Sequence, residues 1–239
     1  MKKFLAIAGV SAGLLFATTA SAAVNLVING DFETAIADPS APGFDTEYSF
    51  RDGSSNLSSD PAHSMYDEGT WTIGNNPHDV HDLWIDQDLG APDNHVLILN
   101  GKVDGLPSEA WSQTFNVTAG EYTYGFDVVN LYGGSGFSNI NFDYSIDGGA
   151  TFIHLAHVLT SSASAGVFQH KHGSFTVGDG TLRVSLRNTL GGAGGNDFGI
   201  DNISVAAVPE PASWLMMIMG FGGLGAVLRS NRRRAIAAA

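Results

Sequence analysis

The stretch that decides the fold class is Tyr122-Thr123-Tyr124-Gly125-Phe126-Asp127-Val128-Val129-Asn130-Leu131. Aromatic and β-branched side chains fall at every second position through Val128, with Thr, Gly and Asp between them. Period-two spacing sends one set of side chains to a core and the other away from it, the habit of a strand. Shorter runs of the same kind lie on both sides. They are Asn25 to Ile28, His95 to Leu99, Ile140 to Ile146, Thr151 to Val158, Ser174 to Val177, Leu182 to Leu186 and Phe198 to Val205. Gly, Asn, Asp and Ser separate them, and no long stretch shows helical apolar spacing. Many short strands between turn signals predict an all-β chain folded as a single β-sandwich. Residues 38–65 and the glycine clusters at 133–136 and 191–195 read as loops. No internal repeat of fixed period is present.

The two ends have a different character. Lys2-Lys3 precedes an apolar run from Phe4 to Ala17, and Ala20-Ser21-Ala22 supplies small residues in the pattern of a secretory cleavage site. Residues 1–22 are therefore expected to be a signal peptide cut between Ala22 and Ala23. Near the other end, Trp214 to Leu228 carries no charge, and Arg229, Arg232, Arg233 and Arg234 follow. As a helix, 15 residues reach about 22 Å at 1.5 Å each, against about 30 Å of bilayer hydrocarbon. Such a span is short, and arginines that snorkel or a thinned bilayer would have to help it. Lysines at one end and arginines at the other both favour the cytoplasmic side, which places everything between them outside.

Pro209-Glu210-Pro211, the short apolar span and the terminal arginine cluster together resemble the PEP-CTERM sorting signal. That resemblance implies an exosortase, a membrane peptidase that recognises the tag over 208–239 and removes it, with the inner membrane as a transient anchor. Within the exported region, Asn25 to Glu33, Ser112 to Phe115 with Thr118 to Phe126, and Asp197 to Val205 resemble the opening strand, central hairpin and closing strand of galactose-binding-like jelly rolls. The likeness does not extend over 38–95. It implies a jelly-roll domain over 23–207.

Composition limits what such a domain can do. Its 186 residues, Ala23 to Val208, hold five basic residues against 23 acidic ones, a net charge of −18 with histidine neutral. That charge opposes nucleic-acid binding, which depends on neutralising phosphates, and suits solubility and Ca²⁺. The chain has no cysteine, so thiolate–zinc sites and cysteine nucleophiles are excluded. Within 23–208 no G-x-S-x-G, P-loop or H-E-x-x-H pattern occurs.

Three constellations remain as candidates. In many jelly-roll carbohydrate modules, a structural Ca²⁺ joins the opening and closing strands. By that resemblance Glu33 and Asp201 would be ligands, with Asp31 and Asn202 beside them; the alternative is that all four satisfy turn amides. An aromatic sugar platform is the second: flat rings stack on sugar C–H faces. Trp84, set among polar residues, is the favoured member, with Trp71 and Tyr132 as others, while core packing competes for each tryptophan. The third is a histidine metal site, from His78/His81, His154/His157 or His170/His172. Residues i and i+3 of a strand face opposite ways, so only His170 and His172 are expected to share a face. One further pattern, Ser145-x-Asp147-x-Gly149-x-Thr151-Phe152, fits an Asp-box and reads as a tight hairpin.

The resulting expectation is an exported, exosortase-processed surface or extracellular-matrix protein. It is non-catalytic, with no catalytic residues assigned, and binds carbohydrate. A matrix protein without a specific ligand and a secreted glycan hydrolase are the alternatives.

Overall fold

The alternating run becomes the longest strand, Gly120–Asn130, and sends Tyr122, Tyr124, Phe126 and Val128 into the core. The computed structural model describes residues 23–36, 38–90, 94–192, 195–209, 218–225 and 228–229. Ten strands follow in order: β1 (Ser49–Phe50), β2 (Thr70–Gly74), β3 (Val96–Asn100), β4 (Ser108–Val117), β5 (Gly120–Asn130), β6 (Asn139–Ser145), β7 (Ile153–Leu159), β8 (Gln169–Val177), β9 (Gly180–Asn188) and β10 (Phe198–Ala207). They form two sheets, β1-β2-β3-β10-β5-β8 and β4-β9-β6-β7. Among the described residues only β1 and β2 pair in parallel; the other pairs are antiparallel.

From β3 to β6, and again from β7 to β10, successive strands alternate between the sheets. That is the winding of a jelly-roll sandwich. Between the sheets lies one core, with Trp71, Leu97, Leu99, Phe126, Phe198 and Ile200 from the six-stranded sheet and Ile140, Phe142, Leu182, Val184 and Leu186 from the four-stranded one. Residues 24–208 make up one compact unit.

Two departures from regular pairing matter later. In β10 the register shifts between Asp201 and Ser204, and Asn202 has φ of +52°. The core side chains accordingly change parity, from Phe198 and Ile200 to Ile203 and Val205. In β7 the register shifts as Phe142 pairs with Ala156 but Asp143 with His154, which leaves Leu155 as an extra residue.

A second core covers the outer face of the six-stranded sheet. Val96, Ile98, Val129 and Leu131 lie beneath Met65, Val80, Trp84 and Leu89. The apolar outer face needs this cover, and the irregular segment between β2 and β3 supplies most of it. The opening run forms only an isolated bridge, Asn25 to Ala206, in place of a strand. It still docks on the closing strand: Leu26 N donates to Val205 O, and Ile203 N to Gly30 O.

Helical residues are described at 218–225 and 228–229. No helix among the described residues is long and apolar enough to cross a membrane. Ala22, Glu210, Pro211, residues 214–217, Arg232, Arg233 and Arg234 lie outside the described residues; Ala23 and Pro209 lie within them.

Candidate ligand-binding cleft

Where the opening segment meets the edge of the six-stranded sheet, a cleft of about 280 Å³ opens between Phe32, Ile36, Phe50, Trp71 and Ile73. The sequence builds this wall locally. Asn29 and Phe32 take left-handed backbone (φ +52° and +54°), which turns the chain sharply after Ile28 and drives Phe32 inward. Gly30 permits the close approach, since a Cβ there would sit 2.2 Å from Ile203 O. Phe32, Phe44, Trp71 and Phe50 then run edge to face, with centroids 6.1, 5.3 and 4.9 Å apart, the geometry that ring quadrupoles favour. Trp71 is 2% exposed and Phe50 37%, so Phe50 is the ring that solvent reaches.

Two carboxylates line the same cleft, each tied to a histidine. Glu33 accepts from His95 N at 2.8 Å through one oxygen and faces His95 Nδ1 at 3.1 Å through the other. Asp52 accepts from Ser54 N and Ser54 Oγ, and its second oxygen faces His63 Nδ1 at 2.9 Å. These hydrogen bonds favour the charged carboxylates. The His95 backbone bond lowers Glu33 from its ordinary value, and the Ser54 backbone bond leads in lowering Asp52 to about 2. Asp52 in turn raises His63. The cleft thus offers an apolar wall beneath ionised acceptors and the His95 imidazole, which suits a ligand with one apolar face and several hydroxyls.

Of the expected residues, the structure brings Glu33 and Trp71 together here. Trp84 has another place. It is 4% exposed and belongs to the second core. His81 stacks on it at 4.5 Å, and Tyr66 stacks on His81 at 3.9 Å. Its polar sequence neighbours reflect loop bonding, as where Tyr66 Oη donates to Asp82, and do not mark an exposed ring. Tyr132 packs against that second core, and its ring also crowds Gly134. Neither residue reaches the cleft.

The four residues expected around Ca²⁺ do not converge as one oxygen cage. Asp201 Oδ1 accepts from Asn202 N, and its Oδ2 faces the side-chain amides of Asn94 and Asn202 at 3.3 Å each. Burial, with help from Asp127 and Glu33, raises Asp201 to about 6. Glu33 is taken up by His95, and Asp31 is exposed. Among the described residues no group of three or more His, Asp or Glu is placed to hold a metal.

Phe50, His95, Asp52 and His63 were not legible as site residues. Glu33 and His95 are 62 residues apart, and only the sandwich closes that distance. The Asp-box is a hairpin between β6 and β7. Asp147 accepts from Thr151 N and Thr151 Oγ1, and Gly148 and Gly149 take φ of +74° and +93°.

Residues 207–234 match the PEP-CTERM protein-sorting motif. The motif implies export, membrane anchoring and processing by an exosortase. No curated protein matches this chain. Among solved structures, the Stig cyclase Fisc from Fischerella sp. TAU, in complex with (3Z)-3-(1-methyl-2-pyrrolidinylidene)-3H-indole, aligns at a TM-score of 0.51 and 18% identity, covering 79% of this chain and 99% of that one. The CBM22-1 xylan-binding domain of Paenibacillus barcinonensis Xyn10C aligns at 0.40 and 15%, covering 62% and 93%. TmCBM61 in complex with beta-1,4-galactotriose aligns at 0.35 and 16%, covering 64% and 99%. At such identities likeness speaks of fold alone, and the cyclase alignment carries it.

Proposed function

We propose that the sorting motif delivers this acidic sandwich to the cell surface or extracellular matrix, where the cleft beside Phe50 binds polysaccharide without cleaving it. The observation behind this reading is the pairing of an apolar aromatic wall with ionised acceptors in one opening. Ring faces suit the C–H side of a sugar, and Glu33 and Asp52 would accept from its hydroxyls. The same carboxylates argue against glycoside hydrolysis there. A hydrolase keeps one carboxyl protonated as general acid, whereas hydrogen bonds lower both of these.

The test is a glycan array probed with the full chain in mild detergent, followed by titration of any glycan retained. Phe50→Ala and Glu33→Gln change residues at the opening. Each is expected to weaken binding by about tenfold, which corresponds to about 1.4 kcal/mol. An array without a single retained glycan, or affinity unchanged in both variants, would rule the cleft out and favour a matrix role without a specific ligand.

A further inference from the structure

On a regular strand His154 and His157 would point to opposite sides of the sheet. The extra residue at Leu155 changes that. His157 pairs with Asn141 and His154 with Asp143, and both partners lie on the outer side of β6, because Ile140 and Phe142 fill the core. The two imidazoles therefore share the outer face of the four-stranded sheet, with ring centroids 5.9 Å apart and planes 27° from parallel. Two imidazoles that bind one ion at metal–nitrogen distances of about 2.0–2.1 Å bring their ring centres to about 5–6 Å.

The support beneath the pair fits the same purpose. Asp143 is 4% exposed, and its Oδ1 lies 2.8 Å from His154 Nδ1. With Nδ1 engaged by that carboxyl group, Nε2 is the ring nitrogen left to face outward, on a side chain that is 48% exposed. A carboxylate behind a histidine is the usual means of orienting a metal ligand and raising its basicity. The other charged group at hand is Arg187, whose guanidinium lies 3.6 Å from Asp143 Oδ2 and 4.4 Å over the Phe152 ring. It neutralises the far oxygen of Asp143 and is held on the aromatic ring.

We propose that His154 and His157 form an open two-imidazole site for a divalent transition metal, Cu²⁺ being bound most tightly. Two ligands are what this face supplies, so water or an external donor completes the shell. Imidazole suits Cu²⁺, Ni²⁺ and Zn²⁺, and the ordinary affinity order puts Cu²⁺ first.

The test is Cu²⁺ titration of the full chain in mild detergent at pH 7.5, followed by calorimetry and electron paramagnetic resonance. One saturable site with hyperfine coupling to two nitrogens is expected. His154→Ala and His157→Ala should each weaken it by about tenfold or more, and the paired variant His170→Ala/His172→Ala on β8 should leave it unchanged. His157 is exposed, so the metal-free His157→Ala variant should melt like the parent, whereas His154→Ala also takes a partner from buried Asp143 and should melt lower. No saturable Cu²⁺ site, a site that survives both single substitutions, or one lost equally with the β8 pair would overturn the proposal.

Discussion

Asp197 is a buried carboxyl just ahead of β10. Burial raises it to about 7, and nearby Glu68 adds to the rise, while the Trp84 indole and the Gly195 and Gly101 amides act the other way. The unfolded chain releases this proton near the ordinary aspartate value of 3.8, but the folded chain holds it to about 7. Between those values the folded state binds more protons, so this group's contribution to stability falls as pH rises. Asp197→Asn removes the titration. The Tm difference, variant minus parent, should therefore rise between pH 4.5 and pH 8 in a set of thermal melts. At Asp201 the oxygens are already matched to Asn94 and Asn202 donors. Adding EDTA to the full chain should leave Tm unchanged; a fall that added Ca²⁺ reverses in the parent but not in Asp201→Asn would show Ca²⁺ seated there.

At the scale of elements, the second core decides what Trp84 does. The outer face of the six-stranded sheet carries Val96, Ile98, Val129 and Leu131, and Trp84 covers them from the segment before β3. Trp84→Ala should cost about 3–5 kcal/mol, the range for emptying a buried tryptophan site, as read by urea denaturation. A variant of parental stability with weakened glycan binding would instead return Trp84 to the surface. The β6–β7 hairpin makes a smaller contribution. Asp147 is lowered to about 2, with its bond to the Thr151 amide as the largest cause. Asp147→Ala should lower stability through the lost turn bonds, by less than Trp84→Ala in the same urea denaturation.

For the whole molecule, the sorting motif makes the strongest prediction. Expressed in a host that carries an exosortase, the mature protein should yield no peptide from 215–239 by mass spectrometry. Replacing Pro209, Glu210 and Pro211 together should leave that region intact and the chain in the membrane fraction. A parent chain that keeps its C-terminal peptides in such a host would make the segment a permanent anchor.

Local rules were enough for several features. Period-two alternation identified most of the strands, because a sandwich buries one face of each. The Asp-box hairpin was legible because its bonds span four residues. The sorting motif was legible because it is a contiguous pattern of charge and hydropathy. Residues 38–65 read as loop, and they contain only the two-residue β1. The cleft, the second core and the histidine pair were decided by tertiary structure. Glu33 finds His95 only once the opening segment docks beside β3; Trp84 is buried only because a sheet face needs cover; and His154 turns beside His157 only because one extra residue is accommodated against β6. Each depends on contacts between positions far apart in the chain or on a one-residue change of register, and neither leaves a periodic mark in the sequence.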